Sequence, residues 1–325
     1  MREVAFIKKN KQKWQDFETA IFGKQLKNPD ELASLYTQLV NDLSYAQTYY
    51  PKSKTILYLN NLAAKAFQKI YKTKRQDTNR FVYFFKTEVP LIMYHYRRYV
   101  AYAFIIFGAF AAIGALSAAY DDSFVRLILG DYYVNLTLEN IKKGDPVAIY
   151  KSGSNWGSFI GITLNNLYVG ILNVVYGVFG GLGTGYILME NGIMIGAFQY
   201  FFEKEGVLMQ SVRGIWIHGA MEIFAIVIEG AAGFIIGASI LFPKTYSRLT
   251  SFKHGVKTGV KILISTFPFT ICAGFLEGFV TRYSNVMPNW LSLGIIFTTL
   301  SIITYYYIIY PHRVHKKQQL NYATI

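Results

Sequence analysis

The sequence predicts an all-α fold: a polytopic α-helical membrane protein of about six membrane segments, one of which crosses or re-enters, behind an N-terminal cytoplasmic helical bundle. Three observations carry this. The 325 residues are 52% hydrophobic, and after Tyr99 the apolar residues gather in runs nearly free of Lys and Arg, long enough to cross a hydrocarbon layer of about 30 Å as helices. Residues 1–98 are polar and basic, with their apolar positions at helical spacing. The charge, net +14, is segregated. Residues 1–98 hold 18 Lys/Arg against 8 Asp/Glu, residues 243–261 hold five basic and no acidic residues, and residues 311–317 hold three basic ones. The loop 120–157 instead has four basic and five acidic residues. This positive-inside pattern assigns the N-domain, the 243–261 linker and both termini to the cytoplasmic side of a bacterial inner membrane. It favours contact with anionic headgroups of the bilayer and argues against a nucleic-acid partner.

Taken in order, Phe6–Phe22 repeats apolar positions at helical spacing through Trp14, Phe17 and Ile21. Asn28-Pro29-Asp30-Glu31 is a helix start, with a capping Asn, Pro at the first position and acids in the first turn. Leu32, Leu35, Tyr36, Leu39 and Leu43 form the apolar stripe that follows, and Pro51 ends it. A third helix runs through Leu59, Leu62, Ala66, Ile70 and Tyr71, completing a bundle over 1–80 with Lys72–Asn79 as a charged connector. Residues 81–98 mix aromatics with His95, Arg97 and Arg98, the composition of an interfacial helix.

The membrane domain spans 99–310. With no cleavable leader in Met1–Asn28, Tyr99–Ala119 serves as the insertion signal. The external loop 120–157 turns at Gly144-Asp145-Pro146. Apolar sequence then runs over 158–202, broken by the glycine-rich 180–185 and by Glu190-Asn191-Gly192. Both its ends face outward, so it crosses twice or re-enters. Arg213–Pro243 returns inward, the basic linker 243–261 follows, Lys261–Thr281 leads out, and Trp290–Tyr310 leads back to a tail at 311–325. Gly157/Gly161, Gly177/Gly181, Gly192/Gly196 and Gly233/Gly237 share four-residue spacing, which suits close helix packing within one chain or in a homodimer. The one cysteine, Cys272, excludes an intramolecular disulfide and reads as a packing residue.

Polar groups inside the apolar runs are the candidate site. At about 100° per residue, Glu222 falls roughly 40° and Glu229 roughly 20° from His218 on one helical stripe. Glu190, Glu277, Asn165, Asn166 and Asn191 lie in neighbouring segments. An ionised carboxylate at mid-bilayer costs about 2.5–3.5 kcal/mol on the insertion scale, and no Lys or Arg lies at mid-span to offset it. These groups are therefore protonated, hydrogen-bonded or bound to a cation. His218 and Glu222 are candidate metal ligands that Glu229 and Glu277 complete, although HxxxE lacks the paired histidines of zinc proteases. A carboxylate–histidine chain also suits a proton or ion path, and the plainest reading is a buried, fully hydrogen-bonded network that fixes helix register and oligomer state. No GxSxG elbow is present, no catalytic residue is assigned, and no cofactor is expected. GGLGTG lacks the Lys-Ser/Thr of a phosphate loop and reads as a helix break.

The ordered set Asn165-Asn166, GLGTG at 181–185, Asn191-Gly192, HGAMEI at 218–223 and EGFVTR at 277–282 resembles the stage II sporulation protein M family of integral membrane proteins. The likeness extends to DLSYAQTYYP and YLNNL in the N-terminal stretch. What the resemblance implies is a founding member that works with cell-wall hydrolases during engulfment, and relatives in organisms that form no spores. The expectation is thus a non-enzymatic inner-membrane protein that organises an envelope-associated complex, linked by resemblance to cell-wall remodelling, with membrane or envelope proteins as partners. The alternative is a transporter or ion-coupled component built on the Glu/His cluster.

Overall fold

The computed structural model describes residues 2–22, 29–70, 79–151 and 153–323. All regular elements among them are helical. The chain divides into two compact units, Met1–Thr78 and Asn79–Ile325.

The first unit holds α1 (Glu3–Phe22), α2 (Pro29–Tyr49) and α3 (Lys54–Ile70). Their apolar stripes meet in one small core of Phe6, Trp14 and Phe17 from α1, Leu39, Leu43 and Ala46 from α2, and Leu59, Leu62 and Ala66 from α3. Burial of each large side chain stabilises by about 1.5–3 kcal/mol. The Trp14 indole would bring an unpaired N–H into that core, and the Asp42 carboxylate accepts it at 2.9 Å. Glu3 receives the hydroxyl of Thr55 at 3.2 Å, which ties the start of α1 to the start of α3. The capping Asn28, Tyr71 and the connector through Thr78 lie outside the described residues.

The second unit begins with α4 (Arg80–Tyr83), a π-helical turn at Phe84–Glu88 and α5 (Val89–His95). Residues 80–95 are one continuous helical stretch with the π turn inside it, interrupted at Tyr96 before α6 begins. Packing ties it to the unit: Val89 and Met93 belong to the main core, and Glu88 pairs with Lys261 at 2.5 Å. Then come α6 (Arg97–Tyr120), α7 (Asp122–Leu129), α8 (Asp131–Lys142), a 3-10 turn at Ala148–Lys151, α9 (Asn155–Val175), α10 (Leu182–Lys204), α11 (Leu208–Leu241), α12 (Arg248–Phe275), α13 (Asn289–Thr304) and α14 (Tyr310–Ala323). Residues 248–261 of the basic linker are the first turns of α12. That helix runs on through a π turn at Leu276–Val280 and a 3-10 turn at Thr281–Tyr283.

Among the described residues, five stretches are long and apolar enough to cross a membrane: Arg97–Tyr120, Asn155–Val178, Leu208–Leu241, Arg248–Tyr283 and Asn289–Leu320. The protein is polytopic and α-helical. Of the five, α11 is the most enclosed, 67% of its apolar window being buried against 22–44% in the others. It is the hub around which α6, α9, α10, α12 and α13 stand.

The 158–202 stretch forms two full-length helices. Gly180 and Gly181, at φ 67° and 86°, make a left-handed turn after α9 that residues with a Cβ rarely adopt, and α10 starts at Leu182. It continues unbroken through Glu190-Asn191-Gly192, where the sequence suggests an interruption. It also runs alongside α6 in the same direction. Gly192 abuts Phe107–Ala111 and Gly196 abuts Ala111–Ala115, and Lys204 pairs with Asp122 at 2.6 Å. It accompanies α6 over most of its length, although α10 is not itself among the five stretches long and apolar enough to cross a membrane. Cys272, expected as a packing residue, stands exposed on α12.

Candidate functional site

The stripe of α11 meets two different environments. Toward the α7–α8 end, α9 and α10 diverge above α11 and leave a cavity of about 510 Å³. Asn165 and Asn166 stand on the α9 wall, Met194 and Gln199 on the α10 wall, and His218 and Glu222 line it from α11. Ile128 and Leu129 of α7 and Tyr133 of α8 contribute from the loop, and Glu277 reaches in from the π turn. A second space of about 330 Å³ shares Tyr133, Gly161, Ile162 and Glu277 with the first.

His218 is buried. Its Nδ1 lies 3.0 Å from the Thr281 hydroxyl and its Nε2 lies 3.5 Å from Glu277 Oε2, too far for a good hydrogen bond. Glu222 is half-buried and faces the cavity; its Oε1 accepts from Asn166 Nδ2 at 2.5 Å. Glu277 is buried at 7% exposure. The π turn sets its position, because a widened turn shifts the face on which following side chains fall, and such turns recur at functional sites. Donor atoms of His218, Glu222 and Glu277 all lie within 4.8 Å of one another. Among the described residues, the cavity lining includes these two carboxylates and neither Lys nor Arg. Arg282 instead bonds the Gly278 and Gly153 carbonyls at 3.0 and 2.8 Å, and Arg213 bonds Asn289.

Three residues of the sequence-based set fall elsewhere. Glu229 is sealed at 1% exposure, where Thr266 donates to its Oε1 at 2.7 Å and its carboxyl lies against Gly170. It is therefore not a fourth member of the cluster. Asn191 bonds its own helix at the Ile187 carbonyl, 2.9 Å away. Glu190 is exposed on the outer side of α10 and accepts from the Tyr186 hydroxyl at 2.5 Å. Sequence reasoning missed Gln199, Tyr133 and Thr281. Of these only Thr281 had a signal, being part of the EGFVTR segment together with Glu277.

The motifs that meet here are also those of a known family. Residues 103–282 match the Stage II sporulation protein M family, which is more than half of the chain. The chain belongs to that family. In this member of the stage II sporulation protein M family, Asn166 meets the Glu222 of HGAMEI, and the His218 of that segment meets Glu277 and Thr281 of EGFVTR. The likeness does not extend to the N-terminal stretch as the sequence motifs suggested. Residues 4–72, with DLSYAQTYYP and YLNNL, match a separate domain of unknown function (DUF8413). No curated protein and no solved structure matches the chain.

Proposed function

We propose that this stage II sporulation protein M relative is a transport component of the bacterial inner membrane. In this reading it is multi-pass, has both termini cytoplasmic, and takes a small polar or amphiphilic ligand into the cavity between α9 and α10. One observation carries the reading: a cavity of about 510 Å³ within the membrane unit on which His218, Glu222, Glu277, Asn165 and Asn166 converge. Its size suits a drug-sized molecule. A few polar groups on mostly apolar walls fix such a ligand, whereas a network that serves only helix register needs no empty volume beside it. Among the described residues, the lining of this cavity offers no Ser, Thr or Cys, and its polar groups suit binding of a ligand.

Gly161 supplies the test, since a side chain added there meets no atom within 4 Å. Native mass spectrometry of protein released from lipid nanodiscs is expected to find wild type carrying a molecule of a few hundred daltons. Gly161→Phe is expected to fold normally and to be bare. Labelled copies of that molecule should then enter wild-type proteoliposomes and stay out of Glu222→Gln ones. A Gly161→Phe protein that keeps the ligand, or wild type that is always bare, overturns the reading.

A second reading, an organiser of an envelope-associated complex linked to wall remodelling, is favoured by the N-terminal unit. That unit has its own core and its own family match, as a partner-binding module does. Membrane or envelope proteins, or a second copy of the chain, would be its partners. Mild-detergent affinity purification should recover an envelope protein in stoichiometric amount with the full chain and lose it when residues 1–78 are deleted; equal recovery removes this role.

A further inference from the structure

We infer that His218, Glu222 and Glu277 form a binding site for a divalent transition-metal cation at the wall of the cavity. The inference deepens the reading of the cavity as a ligand site and rests on it. Three donors come together from two chain segments: His218 and Glu222 one turn apart on α11, and Glu277 from the π turn after α12. Each offers an atom within 4.8 Å of the other two. The separation of His218 Nε2 and Glu277 Oε2, 3.5 Å, is long for a hydrogen bond. It is close to the edge of about 3.3 Å between neighbouring ligands of a tetrahedral ion with bonds of about 2.0–2.1 Å.

The surroundings orient the donors as metal sites do. His218 Nδ1 lies 3.0 Å from the Thr281 hydroxyl, which fixes the ring with Nε2 toward Glu277 Oε2; a metal would be bound through Nε2 with the ring proton on Nδ1. Asn166 holds Glu222 Oε1 and leaves Oε2 to turn inward. Glu277, nine-tenths buried, points into the cavity. Charge gives a separate argument. Two carboxylates converge where no cationic side chain lines the cavity among the described residues, and a divalent ion would balance the pair. One imidazole with two carboxylates suits zinc, manganese or ferrous iron better than the all-oxygen sites of calcium and magnesium. Three protein ligands leave a position open to the cavity, where a polar group of the transported ligand can bind. Glu229, bonded to Thr266 and sealed away, is outside the site.

The test uses full-length protein in nanodiscs, stripped with a chelator and dialysed against Zn(II) or Mn(II) alone, with bound metal counted by inductively coupled plasma mass spectrometry. Wild type is expected to retain about one ion per chain and to gain thermal stability with metal, because an ion bound only by the folded state raises the melting temperature. His218→Ala and Glu277→Gln are expected to fall at least about tenfold in occupancy and to lose that gain. Should His218→Ala fail to fold, the near-isosteric Glu277→Gln and Glu222→Gln decide the matter. Glu229→Gln should bind like wild type. Wild type that retains no more metal than Glu277→Gln overturns the site, whether or not the cavity carries an organic ligand. Gly161→Phe separates this result from the transport reading, since it should lose the organic ligand and keep the metal.

Discussion

The two flanks of α10 use small residues to opposite ends. Against α6, Gly192 and Gly196 let two helix backbones touch: a Cβ on Gly196 would lie 1.9 Å from the Ala111 carbonyl oxygen. On the other flank α10 faces α9, whose Gly161 meets nothing within 4 Å. The two helices leave their common turn at Gly180-Gly181 close together and then separate, and the cavity is the volume between them. In the first case glycine closes a seam, and in the second its missing side chain leaves room. Four-residue spacing of glycine therefore marks where a helix can be approached, while its neighbour determines whether the result is a seal or a site. The stripe of α11 divides in the same way, Glu229 lying in the sealed part and Glu222 in the open part.

The largest effect should come from breaking the seam. Gly196→Ala forces a methyl group into the Ala111 carbonyl and to 2.7 Å from the Ala115 amide, and backbone cannot rotate out of the way as a side chain can. Overpacking of this kind costs about 3 kcal/mol. Thermal unfolding in nanodiscs, followed by tryptophan fluorescence, should show a clear loss of stability, and an unchanged melting temperature would mean that the helices are not in contact. Gly177→Ala, aimed at the Gly233 carbonyl 2.3 Å away, should behave similarly.

Next in size is the contrast along α11. Glu229→Ala removes a fully enclosed side chain between Thr266 and Gly170, leaving a void that close-packed surroundings fill only partly. A loss of about 2 kcal/mol is expected. Glu222→Ala removes a side chain that already borders open space, and its main loss is the Asn166 hydrogen bond, worth about 1 kcal/mol. The same unfolding assay ranks them, and a larger loss for Glu222→Ala would invert the division of the stripe.

Much of this was legible in the sequence. Helical spacing gives the three helices of the first unit, apolar length gives the spans, and 100° per residue puts His218, Glu222 and Glu229 on one face of α11. That angle states a direction and not a neighbour, however. Glu229 sits three turns beyond His218, about 16 Å along the axis at 1.5 Å per residue, and a different part of the bundle covers it. Glu277 joins His218 only because α12 widens into a π turn, which no periodicity announces. Glu190 looks like a member of the cluster until the crossing of α10 on α6 turns it outward. In α10 the polar Glu190-Asn191-Gly192 suggested a break, yet Asn191 satisfies itself on the preceding turn and Gly192 is needed at the seam, so the helix runs on. Five members of the candidate set meet because α9, α11 and the end of α12 pack against each other, and that packing is tertiary information.

The smallest effect has the opposite sign. Gly161 lies inside α9, away from either end, and in open space. Glycine there leaves the unfolded chain more freedom than alanine does, at a cost of about 0.5–1 kcal/mol in a helix interior. Gly161→Ala should therefore stabilise the protein by up to about that amount, where the same replacement at Gly196 destabilises it severalfold more. The methyl group removes little of the cavity, so the ligand and metal retained by wild type should persist. Paired melting curves of Gly161→Ala and Gly196→Ala read the comparison directly. Destabilisation at Gly161 would show that α9 is closely approached in the membrane and that the gap beside it closes. Stabilisation there means that the volume stays open and that a helix-weakening glycine is kept for the space it leaves.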